Sequence, residues 1–113
     1  MRTVTLEVAS RGDVTRRTLE AFHGRKQRAR ISFATPELLW KVLTSKRWEL
    51  LRAMAGQGPM TIRGVARRVG RDVKAVHGDV HALLDAGLLD KTERNEIVFP
   101  FEAIRVEFTV HAA

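Results

Sequence analysis

Residues 61–88 constrain the fold more than any other part of the chain. They run Thr61-Ile62-Arg63-Gly64-Val65-Ala66-Arg67-Arg68-Val69, then Gly70-Arg71, then Asp72 through Ala86, then Gly87-Leu88. Two stretches of helical periodicity, 61–69 and 72–86, meet at one glycine. Two helices must therefore cross through a very short turn. Three positions carry separate steric demands. A small residue is needed midway in the first helix so that the second can cross close to it, and Ala66 stands there. The turn needs a residue that tolerates positive φ, and Gly70 follows four positions later. A branched apolar residue must pack back on the first helix, and Val76 stands six positions after the glycine. This spacing predicts a helix-turn-helix.

The second helix divides into two faces. Val73, Val76, Val80, Leu83 and Leu84 form an apolar stripe, and Lys74, His77, Gly78, His81 and Asp85 fall opposite. A reader helix presents its N-terminal turns to the major groove of DNA. Here those turns carry Arg71, Lys74, Ala75, His77 and Gly78, the candidates for base readout. Lys74 is sized for a base edge and Ala75 for a thymine methyl. Gly78 would let the helix backbone approach closely. Arg63, Arg67 and Arg68 lie on or beside the preceding helix, which crosses the phosphate backbone in this geometry. They are phosphate candidates together with His81, Lys91 and Arg94. Basic residues on an exposed helix are usually only solvated. The coincidence of five basic residues and one acidic residue over 63–74, inside this motif, favours contact with DNA.

A hairpin is predicted directly after the second helix. Leu88-Leu89-Asp90-Lys91-Thr92 leads into Glu93-Arg94-Asn95 and then Glu96-Ile97-Val98-Phe99, which reads as strand, polar turn, strand. In that position a hairpin is the wing of a winged helix. Asp90, Glu93 and Glu96 keep it from being strongly basic.

Charge supports a polyanionic partner. Twenty Lys and Arg, most of them Arg, stand against thirteen Asp and Glu, a net charge of +7. The excess is uneven: +7 over residues 1–60, +2 over 61–87 and −2 over 88–113. Arginine is suited to bidentate recognition of phosphates and bases. There is no Cys, which excludes disulfides, thiolate metal sites and a Cys nucleophile. No apolar run approaches the roughly 18 residues of a membrane span, and the N-terminus lacks an apolar signal region. The expectation is a cytoplasmic, nucleoid-associated protein of one domain's length.

The rest of the chain reads less sharply. Val4, Leu6 and Val8 alternate with polar residues, a strand signal. Asp13 is a candidate cap for a short helix over 14–23. Residues 25–30, Arg-Lys-Gln-Arg-Ala-Arg, form a basic cluster: a solvated linker or an arm along phosphates. Ile31-Ser32-Phe33 is a short extended piece. Thr35-Pro36 opens a helix, and a further helix covers about 45–56 before Gly56-Gln57-Gly58-Pro59 stops it. Ile104, Val106, Phe108 and Val110 alternate as a last strand. The two terminal strands either complete one small sheet with the wing or add to a partner subunit or toxin, and a sheet within one chain or across a homodimer is favoured. The sequence divides into a strand-helix extension, 1–30, expected to form dimer or partner contacts, and a winged helix-turn-helix domain, 31–113. The fold class is α+β, mainly α, with a C-terminal hairpin wing.

Ile31-Ser32-Phe33, Leu43-Thr44, Arg47-Trp48-Glu49-Leu50-Leu51, the run Ala66 to His77 and Leu84-Asp85-Ala86-Gly87-Leu88-Leu89 resemble the MarR-like winged-helix regulators that serve as antitoxins of prokaryotic type II toxin–antitoxin pairs. Gly70-Arg71-Asp72-Val73-Lys74 with Val76-His77 is the most specific part, and the resemblance covers about 30–108. It implies a repressor of its own operon that binds double-stranded DNA, acts as a homodimer and captures a neighbouring toxin. It also implies Arg after the histidine, where this chain has Gly78; that shifts weight to Arg71 and Lys74. Alternatives are a stand-alone winged-helix repressor without a toxin, and a protein-interaction module with only nonspecific nucleic-acid binding.

Catalysis is not expected. No nucleophile triad, phosphate-cradling loop or carboxylate pair emerges, and no cofactor is implied. His77, His81 and Asp85 stand at four-residue steps on one helix face, an arrangement that can grip a metal in principle. Such spacing arises often by chance, so no metal is assigned.

Overall fold

A computed structural model of the chain describes residues 2–8 and 29–109. The predicted helix over 14–23, the basic residues 25–28 and Val110 lie outside the described residues. The elements in chain order are β1 (Thr3–Val8), β2 (Arg30–Phe33), α1 (Pro36–Val42), α2 (Ser45–Met54), α3 (Ile62–Val69), α4 (Val73–Asp85), β3 (Asp90–Lys91), β4 (Ile97–Val98) and β5 (Ala103–Glu107). The fold is a small α+β arrangement.

Each helix begins where a side chain satisfies a backbone donor. Thr35, Thr44, Thr61 and Asp72 accept hydrogen bonds from the N–H groups of Leu38, Arg47, Gly64 and Ala75, respectively. Each such cap contributes about 1 kcal/mol. Pro36 opens α1, where its missing N–H costs no helical bond. Gly70 ends α3 with φ 67° and ψ 36°, and the next residue, Arg71, donates its N–H back to the Ala66 carbonyl at 3.0 Å. A side chain at that left-handed position would be strained, so Gly70 allows α4 to start three residues later, at Val73 behind its cap Asp72.

The helices share one core. Leu50, Leu51 and Met54 of α2 meet Val65 and Ala66 of α3 and Val76, Val80 and Leu83 of α4. Ala66 and Val76, two of the three steric positions of the sequence motif, are both buried. The apolar stripe of α4 starts later than its spacing predicts: Val73 is 42% exposed. It lies one turn before Val76, beyond the end of α3, where no helix covers it.

The hairpin forms where predicted. β3 and β4 pair antiparallel, Asp90 with Val98 and Lys91 with Ile97. Met60, just before α3, adds a third antiparallel segment. Its N–H donates to the Ile97 carbonyl at 2.8 Å, and the Ile97 N–H returns to Met60 at 2.7 Å. Ile97 and Phe99 face the core.

The terminal strands pair with each other within one chain, as favoured, but not with the wing hairpin. They form a separate sheet with β2, in the order β2-β1-β5 and parallel throughout, and the hairpin takes no part in it. β1 is the middle strand, hydrogen-bonded along both edges. Val4 and Leu6 are fully buried in the same cluster as the helices. The reason is the strand's own alternation: Val4 and Leu6 supply an apolar face flanked by Ile31 and Phe33 on one side and Ile104 and Val106 on the other. A strand expected to serve a partner is thus committed to this chain's interior. On the opposite face Glu7 accepts hydrogen bonds from Arg30 at 2.7 Å and Ser32 at 3.1 Å.

Candidate nucleic-acid interface

The turn and α4 place most candidate residues in solvent. Lys74, Ala75, His77, Gly78 and His81 on α4 are exposed, as are Arg63, Arg67 and Arg68 on α3 and Lys91 and Arg94 on the hairpin. Their exposure follows from the core side of each helix: with Val76, Val80 and Leu83 turned inward, Lys74, His77, Gly78 and His81 must turn out. The start of α4 has no acidic residue in its first turn beyond its cap, Asp72.

Arg71 departs from its predicted role. Its Nη2 donates to Asp79 Oδ2 at 2.7 Å, and its side chain is only 19% exposed. Asp79 also accepts from Arg47 Nε at 2.9 Å through Oδ1. Arg47 Nη1 in turn donates to the carbonyls of Lys41 and Val42 at the end of α1, at 3.1 and 3.0 Å. One carboxylate thereby ties α2, the turn and α4 together, while Arg47 carries the tie onward to α1. Burial pushes the Asp79 carboxyl up, but the hydrogen bonds and charges of Arg47 and Arg71 outweigh it and hold its pKa below the ordinary 3.8. Arg71 Nη1 is buried without a hydrogen-bond partner among the described residues. Arg71 is therefore a brace for α4, and the exposed residues among the base-readout candidates are Lys74, Ala75, His77 and Gly78.

Sequence reasoning assigned no role to Arg47 or Asp79. The available signal was Asp79 itself, an acid two residues after His77 on a helix whose exposed side is otherwise suited to an anion. An acid there needs a cation partner within the fold, and Arg47, 32 residues earlier, cannot be paired with it by spacing.

Gly78 is informative because nothing inside the protein requires it. A Cβ built there meets no atom within 4 Å, and the residue is in the middle of a helix. Glycine at such a position weakens a helix by roughly 0.5–1 kcal/mol relative to alanine. The histidines on either side are in contact, with Nε2 atoms 3.1 Å apart. Among the described residues no group of three or more His, Asp or Glu side chains converges on a metal position, so His77, His81 and Asp85 do not form a three-ligand set. No described helix is long and apolar enough to cross a membrane.

These features define a small α+β protein with two helices crossing at a left-handed glycine and an exposed face on the second that carries Lys74, His77, Gly78 and His81. The sequence model of the HVO_A0114 family matches residues 42–106, and the chain belongs to that family. The match runs from the last residue of α1 into β5 and includes every candidate residue above. No curated protein and no solved structure matches the chain.

Proposed function

We propose that this protein is a sequence-specific, winged helix-turn-helix DNA-binding regulator of transcription, acting as a binder and not as a catalyst. α4 docks in the major groove, with Lys74, Ala75 and His77 at base edges and the Gly78 backbone close to the DNA. Arg63, Arg67 and Arg68 position it through phosphates, His81 extends the same face, and Lys91 and Arg94 reach from the hairpin as wing. The observation that carries the reading is Gly78: an exposed mid-helix glycine, unexplained by internal packing, at the centre of a face bordered by Lys74, His77 and His81. A helix that must lie close to another backbone has use for a missing side chain there. The Met60–Ile97 bridge adds support, since it ties the hairpin to the residue entering α3 and so fixes the wing relative to both helices.

The resemblance noted in the sequence extends the proposal to repression of the protein's own promoter in the cytoplasm as a homodimer, and to capture of a toxin encoded next to it. A small toxin-like neighbouring reading frame supports the last step; an unrelated one leaves a stand-alone repressor. Footprinting on the upstream DNA at two salt concentrations tests the core of the proposal. One protected site is expected, with affinity falling as salt rises by a log–log slope of about −0.9 per phosphate contact. Equal binding to all duplexes would refute sequence-specific reading.

A further inference from the structure

His77 and His81 stand one helical turn apart on the exposed face of α4, with their Nε2 atoms 3.1 Å apart. The ring centroids are 4.2 Å apart and the planes are tilted by 46°. The space beside the pair is open, because Gly78 contributes no side chain and a Cβ there would touch nothing. Without an ion, one ring donates Nε2–H to the lone pair of the other.

The same separation suits a bound metal. Two imidazole nitrogens about 2.0–2.1 Å from one ion and 3.1 Å from each other subtend about 98° at that ion. This lies between the square corner of an octahedral or planar site and the tetrahedral angle. To act as a chelate the rings keep this separation and turn so that both Nε2 lone pairs point at the ion, and the donating ring shifts its proton from Nε2 to Nδ1.

We infer that His77 and His81 together bind a divalent transition-metal ion through their Nε2 atoms. Imidazole donors suit copper, nickel and zinc, in the affinity order Cu²⁺ above Ni²⁺ and Zn²⁺. No third His, Asp or Glu joins the pair among the described residues, so the remaining positions on the ion are open to water or to an outside donor. That makes the site exchangeable, unlike a closed structural zinc site. Lys74, three residues before His77, and Asp85, four residues after His81, flank it with opposite charges on the same face. A consequence for DNA rests on the proposed function: an ion held there offers its open positions to a base nitrogen or a phosphate oxygen.

The test is calorimetric titration of the full chain with Ni²⁺ alone, comparing wild type with His77→Ala, His81→Ala and the double variant His81→Ala/Asp85→His. All three positions are exposed, and circular dichroism checks that each variant keeps its helices. The double variant retains two imidazoles on one face but sets them eight residues apart, about 12 Å along the helix, too far for one ion. The wild type is expected to bind one Ni²⁺ more than each of the three variants. Equal uptake by all four proteins overturns the inference. A second arm measures binding to the upstream duplex with and without Ni²⁺. Severalfold tighter binding in the wild type, absent in His81→Ala, supports the coupling to DNA, and no change in the wild type overturns that coupling while the titration still decides the site. No duplex binding under any condition overturns the DNA reading and leaves the metal site standing.

Discussion

Arg47 of α2 and Asp79 of α4 are joined by a 2.9 Å ion pair across 32 residues of sequence, and Arg71 completes it from the turn between α3 and α4. The pair ties α4 to α2. All three side chains are about one-fifth exposed or less, so solvent screens the pair only in part.

Removing Asp79 leaves two guanidinium groups facing each other with their anion gone. Asp79→Ala is expected to lower the unfolding free energy by about 1–3 kcal/mol, below the value for a fully buried pair because of the residual exposure. Urea denaturation at neutral pH measures it. An unchanged midpoint would remove the brace from the account of the fold.

The same carboxyl gives a pH dependence of definite sign. Its folded pKa lies below its unfolded value near 3.8. Its contribution is therefore fully present above the unfolded pKa, declines as pH drops below that value and is gone once pH has fallen through the folded pKa. Denaturation midpoints between neutral pH and about pH 3 are expected to show a steeper acid loss in the wild type than in Asp79→Asn. Parallel curves would contradict the assignment.

Gly78→Ala separates fold from function in one protein. The open space at Gly78 admits a methyl group, so alanine is expected to raise stability by roughly 0.5–1 kcal/mol. If the helix backbone lies close to DNA, the same methyl weakens duplex binding. A more stable protein with undiminished DNA affinity would deprive the proposed function of its main support.

Lys74→Ala and Arg67→Ala are expected to differ in kind. Loss of Lys74 relaxes preference at one base position by about 1–3 kcal/mol, whereas loss of Arg67 weakens all duplexes alike and flattens the salt slope by about one unit. Competition binding with altered duplexes at several salt concentrations distinguishes them. Identical profiles would mean that the face does not divide into reading and positioning parts.

Leu6→Ala tests the central strand. Leu6 is fully buried between two paired neighbours, and truncation is expected to cost about 2–5 kcal/mol. A loss of that size, read by thermal or urea unfolding, places β1 in the core; a loss confined to oligomerisation would restore the partner-contact expectation for the N-terminus.

The helical unit was legible because each of its signals is local. Thr35-Pro36, Thr44, Thr61 and Asp72 announce helix starts, and Ala66, Gly70 and Val76 each answer one steric demand of the crossing. The hairpin was legible for the same reason. The sheet was not, because alternation in β1 and β5 shows that each strand has an apolar face without showing what covers it. Parallel pairing leaves no tight turn to read, and the pairing of Thr3 with Ala103 has no sequence mark. At the site, exposure of Lys74, His77 and Gly78 followed from helical phase. Arg71 did not, since its chemistry is set by Asp79 and Arg47, which reach it through space.

The placement of β1 between β2 and β5 has a consequence for the order in which the chain can be completed. Its partners in β5 lie one hundred residues downstream, so during synthesis β1 cannot gain its second neighbour until residues 103–107 have emerged. Other tertiary ties span shorter separations, 32 residues for Arg47–Asp79 and 37 for Met60–Ile97. Closing the sheet is thus the step with the longest loop and the slowest expected rate. Removing β1 or removing β5 should then block the same event, the closing of the seam between them.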